Sequence, residues 1–184
     1  MALTLDNIEQ LFGDAGTRLY GGEAVSQREH GLQAAWLAEQ AGADDALVVA
    51  CLLHDLGHML FEQADDALAA GSDDLHQYRI LPFLRGLLPD AVVEPIGLHV
   101  EAKRYLCLSE PGYHAALSPA SQLSLQLQGG PMQATEAARF EQNPYAKAAI
   151  ALRRHDDAAK VPGLSTPDFA YFLPRLAALA GAQA

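Results

Sequence analysis

The stretch LLHDLGH, residues 52–58, decides the fold because it places ionisable side chains in a helix that is otherwise apolar. It lies within VVACLLHDLGHMLF, residues 48–61, where a helix would normally bury aliphatic side chains. Burying an unpaired ionisable group costs several kcal/mol, so such groups need compensation. A metal ion, a proton or a salt bridge is therefore expected beside His54, Asp55 and His58.

The composition around this stretch predicts an all-α fold. The chain has 184 residues, of which 50% are hydrophobic, which is enough for a sizeable core in one domain. Alanine and leucine, both good helix formers, dominate the hydrophobic half, and runs of β-branched residues are sparse. A single domain spanning residues 1–184 is expected.

Helical periodicity and sequence breakers predict the helix boundaries. The predicted helices cover residues 6–13, 25–41, 45–56, 72–87, 91–103, 132–142, 145–158 and 167–180. The residues predicted to cap helix N-termini are Asp6, Ser26, Asp44, Ser72, Ser118 and Thr166. Two loops are marked by paired glycines, YGGE at residues 20–23 and LQGGPM at residues 127–132.

The charge balance argues against several classes of partner. The formal net charge is −11, from 23 acidic and 12 basic residues, so nucleic acid is an unsuitable partner. No apolar stretch approaches the length of a membrane span, and the two cysteines lack CxxC spacing. A soluble, cytoplasmic protein is expected. The acidic run at residues 62–74 is interpreted as solvated surface, and Cys51 as core packing.

The histidines and aspartates form a candidate metal centre, because imidazoles and carboxylates hold transition metals in mixed nitrogen and oxygen sites. Each candidate lies in or at the end of a predicted helix, so a helical bundle can direct them inward. The adjacent pair His54 and Asp55 can face one metal cluster only at a helix end or with a bridging carboxylate. The candidates are His30, His54, Asp55, His58, His76, His99 and either Asp156 or Asp157.

Cations and hydroxyls at helical spacing extend this candidate site. Lys103 lies four residues after His99, and Arg153 lies three before Asp156, so each cation shares a face with a proposed ligand. Ser121 and Ser124 are also one turn apart. Together they predict a pocket for a phosphate or phosphonate. The simpler alternatives are salt bridges, for example with Glu101 or Asp157, and an ordinary helix cap in the SPAS stretch.

The order His30, His54-Asp55 and a distal Asp156 resembles the H…HD…D pattern of the HD-domain superfamily of metal-dependent helical proteins. Further segments resemble its mixed-valent diiron oxygenases, the group of 2-amino-1-hydroxyethylphosphonate dioxygenase (PhnZ-type) and its trimethylammonio-substrate relative. These segments are YGGEAVSQREHGLQAA, LLHDLGH, HVEAKRYL, LSPASQLSLQLQGGPM and LRRHDDAAK. The resemblance covers about residues 17–160, followed by the predicted C-terminal helix at about 167–180.

This resemblance implies a set of roles. Two iron ions, as a mixed-valent Fe(II)/Fe(III) pair, would be held by His30, His54, Asp55, His76, His99 and Asp156, with Asp55 bridging and Asp157 as the rival for the last place. The phosphonate would be held by His58, Lys103, Ser121, Ser124 and Arg153. Tyr20 and Glu23 would form a lid, with Tyr20 over the open iron position and Glu23 at the amine end of the substrate. His155 replaces an aromatic residue that is frequent in the group.

The implied activity is O2-dependent cleavage of the C–P bond of a 1-hydroxy-2-(amino or trimethylammonio)ethylphosphonate. The products would be phosphate and glycine or glycine betaine, with O2 as co-substrate. The alternatives are a metal-dependent HD phosphohydrolase acting on nucleotides or other phosphomonoesters and, less consistent with an intact ligand set, a regulatory module. The amine substituent stays open: Glu23 suits a primary ammonium, and Tyr20, Tyr105 and Tyr113 are candidates for an aromatic cage around a quaternary one.

Overall fold

The computed structural model describes residues 3–61 and 71–182. These residues form an all-α structure with no β-strand among them, as the composition predicts. The part of the acidic run at residues 62–70 lies outside the described residues. No helix of the described residues is long and apolar enough to cross a membrane.

The described helices follow one another in a simple order along the chain. A 3-10 turn, Ala15–Thr17, follows the first helix. The helices are α1 (Leu5–Gly13), α2 (Gln27–Gln40), α3 (Asp45–Leu53), α4 (Leu56–Leu60), α5 (His76–Arg79), α6 (Leu81–Leu84), α7 (Asp90–Ser109), α8 (Tyr113–Ala116), α9 (Pro119–Leu127), α10 (Ala134–Glu141), α11 (Ala146–Ala158) and α12 (Phe169–Gly181).

Several predicted boundaries are wrong. The predicted helix 72–87 is two short helices, α5 and α6, and no helix begins at Ser72. The predicted helix 91–103 is longer, because α7 continues through Pro95 to Ser109. The predicted helix 45–56 ends at Leu53, and α8 and α9 were not predicted as helical ranges.

Three of the predicted N-caps are confirmed and three are wrong. The side chains of Ser26, Asp44 and Ser118 each accept a backbone hydrogen bond from the first turn of their helix. Thr4 caps α1 in place of Asp6, and Asp168 caps α12 in place of Thr166. Each of these two caps lies two residues from the predicted one. The sequence therefore predicts where these helices begin to within two residues, but not which side chain caps them.

The hydrophobic core lies in two clusters, and both include residues of α7. The larger cluster joins α1, α2, α3 and α12, and includes Cys51, which is fully buried as predicted. The smaller cluster joins α7 with α10 and α11 through small side chains and Phe140. The central helices α2, α3, α7 and α11 pack on one another, so the side chains that each directs inward meet in one place.

Candidate metal centre

A break in the helix at His54 and Asp55 allows both side chains to face the same buried space. Helix α3 ends at Leu53 and α4 begins at Leu56. Between them, Asp55 has φ −103° and ψ 15°, outside the helical region. Neighbours on an uninterrupted helix lie about 100° apart and diverge. The break therefore turns two adjacent residues toward one site.

One group of ligating atoms consists of two imidazoles and a carboxylate from α2, the end of α3 and α11. His30 Nε2 lies 3.1 Å from His54 Nε2 and 3.3 Å from Asp156 Oδ1. His54 Nε2 lies 3.9 Å from Asp156 Oδ2. All three side chains are buried, and their ligating atoms lie within 4.8 Å of one another.

A second group lies beside the first and shares the carboxylate of Asp55 with it. His76 Nε2 lies 3.2 Å from His99 Nε2, and these atoms lie 3.2 Å and 3.6 Å from Asp55 Oδ1. The other oxygen, Asp55 Oδ2, faces the first group at 3.6 Å from His30 and 3.4 Å from His54. Asp55 therefore directs one oxygen to each group, which is the geometry of a bridging carboxylate.

The hydrogen bonds of the far ring nitrogens indicate which tautomer each imidazole adopts. The Nδ1 atom of His30 lies 2.8 Å from the Ala159 carbonyl oxygen, that of His54 2.8 Å from the Cys51 carbonyl oxygen, and that of His99 2.7 Å from the Ile96 carbonyl oxygen. A carbonyl oxygen can only accept, so each Nδ1 carries a proton and donates. In the neutral rings, Nε2 then presents a lone pair to the centre.

Lone pairs that converge in this way need a cation between them. Both oxygens of Asp55 and Oδ1 of Asp156 are also buried and accept no hydrogen bond from the described residues. Asp55 is 4% exposed and Asp156 is 1% exposed, so water gives them little compensation. The donor set of imidazole nitrogens and carboxylate oxygens suits a first-row transition metal, and the residues fit two such ions.

The charges of the side chains are consistent with metal binding. Burial opposes ionisation of Asp55, but the charge and imidazole contacts of His54 hold the pKa of that carboxyl well below its ordinary value. Burial and the neighbouring His76 and His54 lower the pKa of His99 well below its ordinary value, although Asp55 opposes this shift. A carboxylate and a neutral imidazole are the forms that bind metal ions.

Arg153 separates the two candidate aspartates at the end of α11. Its Nη1 donates to Asp156 Oδ2 at 2.6 Å, and its Nη2 donates to Asp157, which also accepts from the Tyr113 hydroxyl. The alternative reading of Arg153 as a salt-bridge partner therefore describes its contacts in this structure. Asp156 reaches the histidines, whereas Asp157 faces Arg153 and Tyr113.

A pocket of about 750 Å³, measured with its open mouth, lies over the second group and contains the predicted anion-binding residues. Lys103 is 2% exposed, and its Nζ donates to Ser124 Oγ at 2.9 Å. Burial, and then the charge of Arg153, lower the pKa of Lys103 to about 7. Ser121 accepts instead from Lys160 Nζ, at 2.8 Å.

Sequence reasoning missed Lys160 as a pocket residue. It lies four residues after Asp156, so helical spacing held a signal, although α11 ends at Ala158. The chain continues past α2, where Gln33 pairs with the backbone N–H and carbonyl of Val161 at 3.0 Å and 2.9 Å. This pairing fixes the backbone beside Lys160, whose side chain reaches the pocket.

The predicted lid residues, Tyr20 and Glu23, line the pocket. The ring of Tyr20 stacks on His30 with 3.9 Å between centroids. Gly22, at φ 86°, makes the turn that closes the loop, in which the Tyr20 N–H donates to the Val25 carbonyl. Glu23 accepts a hydrogen bond from Ser118 at 2.5 Å and lies 3.6 Å from Lys160 Nζ.

His58 lines the same pocket and has a partner that the sequence did not indicate. Its Nδ1 lies 3.0 Å from Asp74 Oδ2, and its ring stacks on His76 at 3.9 Å. The sequence predicts that Asp74 belongs to a solvated surface together with the rest of the acidic run. That interpretation is wrong for Asp74, whose side chain is only 10% exposed and lines the pocket.

Other candidates lie away from the pocket lining. Tyr105 stacks on Phe140 and donates to Glu141, and Tyr113 donates to Asp157, so these two tyrosines do not form a cage with Tyr20. His155 is half-buried, and burial lowers its pKa. It lies beside Asp156 in sequence but is not part of either ligating group.

Comparison with known proteins agrees with this geometry. The HD domain family matches residues 28–121. The [1-hydroxy-2-(trimethylamino)ethyl]phosphonate dioxygenase (glycine-betaine-forming) of Leisingera caerulea is 42% identical over 164 residues, covering 89% of this chain and 84% of that protein. The hydroxymethylphosphonate dioxygenase of Gimesia maris is 46% identical over 160 residues, covering 86% of this chain and 79% of that protein.

A third relative, the uncharacterized protein L432 of Acanthamoeba polyphaga mimivirus, is 33% identical over 173 residues, covering 92% of this chain and 77% of that protein. The family match contains five of the six candidate metal ligands, from His30 to His99, and continues into α9. The sequences of the two phosphonate dioxygenases align with 89% and 86% of this chain. The chain therefore belongs to the HD-domain family, in the branch that includes the phosphonate dioxygenases.

Proposed function

We propose that this protein is a metal-dependent dioxygenase that cleaves the C–P bond of a 1-hydroxyalkylphosphonate with O2. The observation that best supports this proposal is the pair of ligating groups that Asp55 joins. These groups open into a pocket lined by buried cationic side chains. Both named relatives act on phosphonates by their printed names. The balanced reaction consumes one O2 for each phosphate released and converts the hydroxyl-bearing carbon into a carboxylate.

The proposed metal ions are two irons in a mixed-valent Fe(II)/Fe(III) pair. His30, His54 and Asp156 would hold one ion, His76 and His99 the other, and Asp55 would bridge them. When bound, such a pair supplies Lewis acidity for the substrate oxygens and electrons for the reduction of O2. Conversion of the hydroxyl-bearing carbon into a carboxylate is an oxidation, for which O2 is the proposed oxidant.

The pocket cations are proposed to bind the phosphonate group. Lys103 and Lys160 each donate to a serine hydroxyl, Ser124 and Ser121 respectively, and all four side chains line the pocket. Arg153 adds a guanidinium that is fully charged at neutral pH. Charge-assisted hydrogen bonds of this kind both orient the substrate and favour an anion over a neutral competitor.

His58, which lines the same pocket, is proposed to add a further contact to the substrate. Its Nε2 lies 4.0 Å from Asp55 Oδ1, at the boundary between the ligating groups and the pocket. This position suits a hydrogen bond to a phosphonate oxygen next to the hydroxyl-bearing carbon. Tyr20, stacked over His30, would exclude water from the same side.

Glu23 is proposed to meet the far end of the substrate. A primary or quaternary ammonium on the second carbon would share the carboxylate with Lys160 and Ser118, which already contact it. The expected products of such substrates are phosphate and glycine or glycine betaine. Among the three tyrosines considered for a cage, Tyr20 lines the pocket, so a quaternary ammonium would rest on one aromatic face and on charge.

The test follows phosphate release and O2 consumption together. Protein reconstituted anaerobically with Fe(II) is given hydroxymethylphosphonate, 1-hydroxy-2-aminoethylphosphonate and its trimethylammonio analogue, in air and under argon. Equal amounts of phosphate and consumed O2, in air alone, are expected for at least one substrate. Phosphate release from phosphomonoesters under argon, with Mn(II) or Mg(II) sufficient, would contradict the proposal and indicate a phosphohydrolase.

The substrate series also tests the role of Glu23. The Glu23→Gln variant keeps the size of the side chain and removes its charge, so kcat/KM should fall about 10-fold or more for the ammonium-bearing substrates. Hydroxymethylphosphonate has no ammonium and should be affected less. An equal loss for all three substrates would contradict the proposed contact.

A further inference from the structure

Asp74 contacts two histidines of the site at once. Its Oδ1 lies 2.8 Å from His76 Nδ1, and its Oδ2 lies 3.0 Å from His58 Nδ1. The two rings stack with 3.9 Å between centroids and 28° between their planes. One carboxylate therefore spans the far nitrogens of a candidate metal ligand and of a pocket residue.

The partner of His76 differs in kind from those of the other candidate ligands. His30, His54 and His99 direct Nδ1 at backbone carbonyl oxygens. A side-chain substitution in the residue that supplies the carbonyl would leave that oxygen in place. His76 directs Nδ1 at a side chain, and a carboxylate raises the basicity of the opposite nitrogen more than a carbonyl does. The orientation of His76 in the second ligating group thus depends on the side chain of Asp74, which a mutation can remove.

The backbone between Asp74 and His76 brings the carboxylate onto the ring. Leu75 has φ 54°, a left-handed conformation that is unfavourable for a branched side chain, and its N–H donates to Asp73 Oδ1 at 3.2 Å. The His76 N–H also donates to Asp74 Oδ1, at 3.3 Å. These contacts hold Asp74 against His76 before the helix begins.

We propose that Asp74 is a positioning residue that fixes the Nδ1–H tautomer of both His76 and His58. In this state His76 Nε2 presents its lone pair beside Asp55 and His99, and His58 Nε2 faces the pocket. One side chain thereby couples occupancy of the second metal position to orientation of a substrate-binding histidine. The inference rests on the proposed dinuclear centre.

The Asp74→Asn variant tests this role, because an amide has one acceptor and one donor group and cannot accept from both Nδ1–H groups. Loss of such an outer partner weakens metal binding about 10- to 100-fold. Titration with Co(II), followed by visible absorption and by metal analysis after desalting, should give two bound ions in the wild type and one in the variant. The affinity of the remaining ion should not change.

Asp73→Asn is the matched control, because the amide oxygen of asparagine can still accept the hydrogen bond that Asp73 accepts from the Leu75 N–H. It should bind two ions. The Asp74→Ala variant gives a second readout: added formate can enter the pocket and restore the missing carboxylate, so the second ion should return with formate and not with chloride. If Asp74→Asn does not fold, as circular dichroism of the metal-free protein would reveal, the formate experiment decides.

Two further outcomes separate this inference from the proposed function. Two ions bound with wild-type affinity in a folded Asp74→Asn or Asp74→Ala variant would overturn the positioning role and leave the dinuclear centre intact. A wild-type protein that binds fewer than two Co(II) ions would overturn the dinuclear centre itself, and the inference with it.

Discussion

At the scale of single residues, Asp55 has the largest expected effect on metal binding, because its two oxygens face both ligating groups. Ligands that bind the native state stabilise it by about 2.7 kcal/mol at 100 times the dissociation constant. Adding Mn(II) or Fe(II) under argon should therefore raise the Tm of the wild type. The Asp55→Asn variant should lose this increase, and Asp156→Asn should lose only part of it.

The exposed residue Asp14 provides the control for this experiment. Asp14→Asn makes the same chemical change outside the site, so its metal-dependent increase in Tm should equal that of the wild type. Melting curves recorded with and without metal test all three variants. A full increase in the Asp55→Asn variant would rule out the bridging role.

Lys103 should make substrate binding depend on pH, because burial and Arg153 lower its pKa to about 7. As pH rises through about 7, the ammonium loses its proton and an attractive charge for the phosphonate, so kcat/KM should fall. Replacement by methionine should lower kcat/KM at pH 6 on the order of 10- to 100-fold. In the variant, kcat/KM should change with pH only as far as ionisation of the substrate requires, and the additional fall seen in the wild type should be absent.

Steady-state kinetics between pH 5.5 and 9 test this prediction, with the exposed Lys147 replaced by methionine as the control. Both variants use the same phosphonate, so ionisation of the substrate cancels in the comparison. Parallel pH profiles of the wild type and Lys103→Met would show that the fall belongs to the substrate rather than to the lysine.

At the scale of elements, the approach of α4 to α5 positions the second ligating group. A Cβ added to Gly57 would lie 2.5 Å from the backbone carbonyl oxygen of His76, so only glycine allows this approach. The Gly57→Ala variant should lose about 1–3 kcal/mol of stability, as overpacked substitutions do. It should also bind less metal, because His76 must move.

Gly13 gives a matched control, since a Cβ there would meet nothing within 4 Å. Gly13→Ala should leave both stability and metal content near wild-type values. Urea denaturation of the metal-free proteins and metal analysis of the reconstituted ones provide the two measurements. Normal metal content in a destabilised Gly57→Ala variant would separate packing from ligand position and contradict the prediction.

Periodicity predicts which parts of the chain are helical better than it predicts the helix break that positions the site. The pattern placed α2, α3, α7 and α11, which carry most of the candidate ligands. The same pattern predicts that the helix beginning at residue 45 continues to residue 56, because leucines on both sides of His54 and Asp55 continue the apolar periodicity. The break coincides with the tertiary contacts of His54 and Asp55, and the hydrophobic periodicity of a sequence carries no information about such contacts.

The acidic segment before α5 was misread for a similar reason. Asp73 and Asp74 follow a segment with several acidic residues, and such a composition alone favours a solvated surface. In the fold, Asp74 meets His58, which lies 16 residues earlier in the sequence. The sequence does not predict that Lys160 lines the pocket, because Lys160 follows the end of α11. The direction of its side chain there depends on the contact of the chain with α2.

At the scale of the whole molecule, ligands from residue 30 to residue 156 meet at one centre, so metal binding ties distant parts of the chain together. Burial opposes protonation of His76, but the carboxylates of Asp55 and Asp74 beside its ring raise its pKa to about 9 in the metal-free protein. Metal binding at neutral pH must therefore release protons. Apparent metal affinity should weaken as pH falls from about 9.

Calorimetric titration with Mn(II) in two buffers of different ionisation enthalpy measures this proton release. The wild type should release protons at pH 7, and His76→Gln should release fewer. The exposed His114, replaced by glutamine, should leave the value unchanged. Identical heats in the two buffers would show that the metal-free cluster holds no excess protons.

The backbone around Lys160 is held on α2 from both sides, by His30 at the Ala159 carbonyl and by Gln33 at both polar atoms of Val161. None of these hydrogen bonds uses the side chain at position 160. Evolution can therefore replace that side chain without giving up the anchors of the fold, and whatever replaces it will face the substrate. Position 160 is thus a place where a small library could search for altered phosphonate selectivity on an unchanged scaffold.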